Sequence, residues 1–220
     1  MSINGWTSIN SPVIKALFLI SEPGAAWDRV VQSGRNLMSV LFFYLLPMML
    51  VVAAAEGWGL MEWGKRQATA GHVRKFSAGE AVVYELTQSL LMLMTIAVCA
   101  HFLKMLAKTE RRCVTYRQTF TVVIYGLSPL FLLRLLDAVP VINPWTIWAI
   151  GITLSLAIVY HGIPRVMAPE PTDAIGLYLI SSLVLVAATG LERFITVWYL
   201  EGRMRSLDNI VAGLLRHLPF

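Results

Sequence analysis

Apolar residues gather in five long runs separated by short polar joins. The runs are Leu37 to Ala55, Leu86 to Leu106, Thr119 to Val139, Trp145 to Ile163, and Ala174 to Leu191 with a less apolar extension through Tyr199. Several reach the roughly 18–20 residues that carry a helix across a bilayer core. The pattern predicts an all-α polytopic membrane bundle of five transmembrane helices. Ser77-Ala-Gly-Glu80 leads into the second run with a capping-box pattern, in which Ser and Glu side chains take up free backbone N–H groups. The join "VPVINPW" is rich in helix breakers, so spans three and four form a hairpin, and "RVMAPEPTDA" is a similarly short join before span five.

Both ends predict further helices that lie on the membrane. Ser11-Pro12 and Ser21-Glu22-Pro23 each set a cap residue near a first-turn proline, the signature of a helix start. Towards the other end Leu207, Ile210, Val211, Leu214, Leu215 and Leu218 recur at three- and four-residue steps beside Arg203, Arg205 and Arg216. Such an amphipathic helix either rests in the interface or packs on the bundle end. The expected division is an N-terminal cytoplasmic segment at 1–36, a membrane domain at 37–199 and an amphipathic helix at 200–220.

Composition agrees with the runs. Hydrophobic residues make up 57% of the 220, charged residues 14%, and mean hydropathy is +0.66. A soluble domain is about 25% charged, so this chain lacks the polar side chains to cover a globule. Cys99 and Cys113 give no disulfide framework. The short apolar patch Val13 to Ile20, broken by "SEPGAAWDR", does not read as a signal peptide. A net charge of +5 without a basic, aromatic-interleaved stretch points to anionic membrane lipids as partners rather than nucleic acid. The dense basic stretch from Lys104 to Arg117 favours an inside N-terminus, which five spans pair with an outside C-terminus.

Charge inside an apolar run needs a reason. Arg134 and Asp137 lie in "LFLLRLLDAV" near the outer end of span three, and Glu192 and Arg193 reach the same side on span five. An interhelical clamp, Arg134 with Glu192 or Asp137 with Arg193, is one reading; snorkelling of Arg134 and a transport or catalytic role are the others. Pro47 and Pro129 each leave the carbonyl four residues back, Phe43 or Tyr125, without a helical donor. Tyr125, Gly126, Ser128 and Pro129 with Pro47 therefore mark a kink or a notch, with Ser128 as a local donor and Gly126 permitting close helix approach. His101, Lys104, Lys108, Arg111 and Arg112 at the inner end of span two, with His161 and Arg165 on span four, are candidate phosphate-headgroup binders or positive-inside anchors. Trp58, Trp63, Trp145 and Trp198 read as an aromatic belt. No metal site is expected: Cys99, His101 and His161 lack a carboxylate partner, and Cys-x-His points its side chains to different faces. Glu56, Glu62, Glu80, Glu85 and His72 read as charges of a water-facing loop. No catalytic residue and no cofactor is expected, since neither His-Glu-x-x-His, Gly-x-Ser-x-Gly nor a phosphate-cradling loop occurs. Spans one, two and four carry almost no ionisable residue away from their ends, so a mostly dry, apolar core is expected.

Three stretches resemble a known family. "ALFLISEPGAAWDRVV" is similar to the pre-membrane Pro-x-x-x-Trp segment and small helix of the YIP (Ypt/Rab-interacting protein) domain family. "VVIYGLSPLFLLRLLDAVPVI" resembles its third span with a Tyr-x-x-x-Pro kink, and "YHGIPRVMAPEPTDAIG" its fourth-span exit. The resemblance covers about Ala16 to Val186 and is of bacterial type in loop and tail. It implies a cytoplasmic N-terminus, a bacterial inner membrane setting and a non-enzymatic protein; eukaryotic members bind small prenylated GTPases. The expected function is a membrane-organising or adaptor role through lipid, another membrane protein or a second copy of itself. The alternative is a small transporter or lipid-translocating protein that uses the kinked spans one and three.

Overall fold

The computed structural model describes residues 11–66, 73–109, 114–169 and 171–201. The C-terminal amphipathic helix expected around Leu207 to Leu218 lies outside them, as do His72, Arg111 and Arg112. Among the described residues five helices are long and apolar enough to cross a membrane: Leu37–Glu62, Ala78–Ala107, Tyr116–Ala138, Pro144–Met167 and Ala174–Leu200. Two shorter helices, α1 (Pro12–Ser21) and α2 (Pro23–Ser33), precede them, each with proline in its first turn. Between spans one and two, Lys65–Arg66 (β1) pairs antiparallel with Val73–Arg74 (β2).

The third span is the hub. In its apolar window 72% of residues are buried, against 28–44% for the other four. It packs on the second and fourth spans, and its far end meets the first. The outer faces of the surrounding helices stay apolar and exposed, as at Leu50, Leu90, Leu183 and Leu191, which suits a lipid solvent. Close approach needs missing side chains. A Cβ on Gly59 would stand 2.5 Å from the Ala138 carbonyl oxygen, so glycine lets span one touch the end of span three.

The two N-terminal helices do not simply lie on the surface. Ala16 and Leu19 of α1 and Ala26 and Trp27 of α2 are fully buried. The first helix packs against Ser128–Leu133 of span three and the second against span four. Their small and aromatic residues fit the bundle: Trp27 sits where a Cβ on Gly162 would otherwise be, and its Nε1 donates to the Ile158 carbonyl at 2.9 Å.

Span ends differ from the apolar runs. Span one runs on past Ala55 to Glu62, and span two starts at Ala78, much earlier than Leu86. The capping box explains the second difference: Ser77 N donates to Glu80 Oε2 at 2.9 Å, and Glu80 N donates to Ser77 Oγ at 3.3 Å.

Candidate functional site

Near the end of the bundle away from α1 and α2, span three tightens into a 3-10 turn, Arg134–Ala138. With three residues per turn, side chains three apart eclipse. Arg134 and Asp137 therefore share one face, and both are buried. Arg134 Nη2 lies 3.0 Å from Glu56 Oε2, and its Nη1 lies 3.9 Å from Glu192 Oε1. Arg193 Nη2 meets Asp137 Oδ1 at 2.5 Å and also donates to the Pro144 carbonyl at 2.8 Å. Lys65, just beyond span one, donates to the Asp137 carbonyl at 2.8 Å. Burial pulls the Lys65 ammonium below the ordinary lysine value, against the opposing pull of Asp137 and Glu56.

Second-layer groups complete the cluster. The Tyr84 hydroxyl donates to Glu56 Oε1 at 3.2 Å. The Gln88 amide is assigned by its neighbours: with its oxygen towards Arg134 it accepts from that guanidinium and donates to Tyr84. Glu85 is buried with one carboxyl oxygen unpaired. Glu56 and Glu85, expected in a water-facing loop, belong instead to the bundle interior. Glu62 is exposed, and Glu80 pairs with Arg74. The core is thus apolar along most of its length and ionic at one end, so the expectation of a mostly dry, apolar core holds for the large apolar cluster and not for the end at Glu56 and Arg134. The reason is that span one continues as helix through Glu56, whose side chain at 1% exposure turns towards span three. Among the described residues no group of three or more His, Cys, Asp or Glu could hold a metal ion.

The prolines are accommodated differently. Ahead of Pro47 the first span widens into a π turn at Leu41–Leu45, with Leu46 N–H donating to the Leu41 carbonyl. At Pro129 the third span breaks: one helix ends at Gly126, and another starts at Ser128. The Ser128 hydroxyl donates to the Tyr125 carbonyl at 2.7 Å, which replaces the backbone donor that proline lacks. Since that hydroxyl's hydrogen is used, the 2.5 Å contact between Tyr44 and Ser128 has the tyrosine donating. Tyr44 and Tyr125 pack ring to ring at 4.4 Å, and Trp27 meets Tyr125 edge-on at 6.1 Å. This column joins span one, span three and α2 through fully buried side chains. Gly126 leaves room for Val159 of span four.

The sequence profile of the Yip1 domain matches residues 17–191. The chain belongs to the Yip1 family. No curated protein and no solved structure matches it. The matched stretch of this Yip1 protein contains Glu56, Arg134 and Asp137 and stops one residue short of Glu192 and Arg193. It is a multi-pass membrane protein of that family.

Among the described residues the expected basic groups of this Yip1 protein are not gathered into one pocket. His101 and Lys104 are exposed on span two. The side chain of Lys108 lies outside the described residues, as do Arg111 and Arg112. On span four Arg165 turns to α2, its Nε donating to Asp28 Oδ1 at 3.0 Å and its Nη1 to the His161 carbonyl at 3.1 Å. Span three stands between these two sets, packing on both helices. The same end holds a different basic pocket, of about 130 Å³, between α2 and the start of span three, lined by Arg35 and Arg117. Trp58, Trp63, Trp145 and Trp198 are partly exposed at the opposite end, with Trp58 and Trp63 ring to ring at 5.4 Å.

Proposed function

We propose that this Yip1 protein is a non-enzymatic membrane-organising or adaptor protein that works by binding membrane lipid or another membrane protein. The observation that carries the reading is how the interior charges are used. Arg134 is taken up by Glu56 and Glu192, and Arg193 by Asp137. Cavities of about 520 and 350 Å³ reach the cluster at Glu85 and at Lys65, and those lined by Arg134 measure only about 20 and 10 Å³. A cavity needs roughly 10–15 Å³ to hold one water, so the two at Arg134 have room for a water and not for a solute. Paired charges in so tight a space hold helices together, which favours a structural use of these groups over a path for cargo. The two proline breaks also differ in kind, a π turn and a helix break, rather than forming the matched pair of broken helices that points to a transporter.

The proposed setting is the cell membrane, a bacterial inner membrane, with the α1–α2 end cytoplasmic. A reporter fused after Glu201 should then read extracytoplasmic. The function is tested by purifying the chain from native membranes in mild detergent and identifying bound lipid and protein by mass spectrometry. Stoichiometric lipid or a recurrent membrane partner is the expected result. A partner-free protein that accelerates lipid or solute movement in proteoliposomes would replace the adaptor reading with the transporter one.

A further inference from the structure

The pocket at the α1–α2 end is lined by two arginines, Arg35 and Arg117. Its walls come from the last turn of α2, the link into span one and the first turns of span three. Gly34 ends α2 in the left-handed region at φ 53°, and that turn sends the chain back so that Arg35 can line the same cavity as Ser33. Across from them, the capping box at Thr115 and Gln118 starts the third-span helix. It thereby fixes Arg117, Gln118 and Thr121 over the cavity. Tyr125, fully embedded in the aromatic column, lies at its apolar side.

Two guanidinium groups therefore share one cavity; the Ser33 and Thr121 hydroxyls beside them donate to the Val30 and Arg117 carbonyls at 2.7 Å and the Gln118 amide to the Val166 carbonyl at 3.0 Å, which leaves the guanidinium N–H groups to meet an anion. Among the described residues neither Arg35 nor Arg117 has a carboxylate partner, whereas the nearby Arg165 is held by Asp28. The charge is felt further in: burial, and after it the Arg35 guanidinium, keep the Lys15 ammonium below the ordinary lysine value. A volume of about 130 Å³ suits a compact anion, and planar guanidinium forks match phosphate oxygens in pairs. Trp27 and Val30, buried in the bundle, hold α2 in place beside the cavity, so the site is built before a ligand arrives.

We propose that Arg35 and Arg117 form a binding site for a phosphate group at the α1–α2 end of the bundle, with Ser33, Gln118 and Thr121 as its walls. The source of that phosphate is an anionic lipid headgroup or a free phosphate ester. The site rests on the lipid-binding reading above and names its ligand chemistry and location. It is separate from the His101, Lys104, His161 and Arg165 positions.

The test uses the full chain in a neutral detergent and follows thermal unfolding. The probes are dioctanoyl phosphatidic acid, dioctanoyl phosphatidylglycerol, dioctanoyl phosphatidylcholine and inorganic phosphate. The anionic lipids should raise the melting temperature of the wild type at low salt, and the shift should fade as salt rises. Arg35→Gln with Arg117→Gln should abolish the shift, and each single Lys replacement should retain part of it. If the glutamine pair lowers the basal melting temperature, the graded response of the Lys variants still decides. An equal shift with inorganic phosphate would assign the site to free phosphate esters; a shift only with the anionic lipids would assign it to headgroups. A shift that persists in the double variant, or that phosphatidylcholine reproduces, overturns the proposal. So does the absence of any shift, and if a membrane partner still co-purifies, the adaptor reading survives that loss.

Discussion

Replacing Arg134 by leucine removes a costly charge from an apolar run, yet it should weaken the fold. The guanidinium serves two carboxylates at once, Glu56 at 3.0 Å and Glu192 at 3.9 Å. Side-chain exposures of 9%, 1% and 11% leave little water to take its place. Removing one member of a buried ionic group costs about 3–5 kcal/mol, because the partners keep their charge and lose their solvation. Coulomb attraction falls as the inverse of distance, so Glu192 feels about three-quarters of the pull that Glu56 does. Glu56→Gln should therefore cost more than Glu192→Gln, and Arg134→Leu more than either. Unfolding of the wild type, Arg134→Leu, Glu56→Gln and the double variant would be followed by denaturant titration in detergent. The double variant should recover much of the Arg134→Leu loss, with a coupling above about 1.5 kcal/mol. Additivity within about 0.5 kcal/mol would refute the pairing. A neutral or stabilising Arg134→Leu would do so as well, since insertion scales favour leucine over arginine in hydrocarbon by about 3 kcal/mol.

Gly59→Ala should destabilise the bundle by about 1–3 kcal/mol in the same titration, because its Cβ meets the rigid backbone of Ala138, whereas Gly176→Ala, with nothing within 4 Å, should be neutral or slightly stabilising. Ser128→Ala should cost about 1–3 kcal/mol by leaving the Tyr125 carbonyl without its donor and the Tyr44 hydroxyl without its acceptor; Tyr44→Phe added to it should cost less than it does alone, as a double-mutant cycle would reveal. Lys65 loses protons more readily folded than unfolded, so its burial penalty is full at neutral pH and fades as pH rises towards its ordinary value of 10.5. Stability measured from pH 7 to 10.5 should accordingly climb more steeply in the wild type than in Lys65→Met.

The span count was legible because run length alone decides whether a helix can cross a bilayer. The break at Pro129 was legible too, since a proline beside Ser128 and Gly126 removes a donor and offers a substitute. Glu56 was not. It follows three alanines and precedes Gly-Trp-Gly, so the hydropathy pattern stops there although the helix does not. What turns it inward is the close contact of Gly59 with Ala138, a tertiary fact with no local trace. The Arg35–Arg117 pocket was hidden for a similar reason. Its two arginines lie far apart in sequence, and only the packing of α2 beside span three puts them round one cavity.

The separation of Asp137 from Arg193 by 56 residues also sets an order of assembly. At about 5–20 residues per second, the ribosome makes Arg193 about 3–11 s after Asp137. Arg134 has Glu56 available from the start, since span one is already made. Asp137 has Lys65 at its backbone carbonyl, but its carboxylate lacks Arg193 until the last span emerges. For that interval the nascent protein holds an acidic group in the membrane with no arginine to meet it. A chain cut short before span five would keep that state permanently, and so would present the membrane's quality-control proteases with a mark that the finished protein conceals.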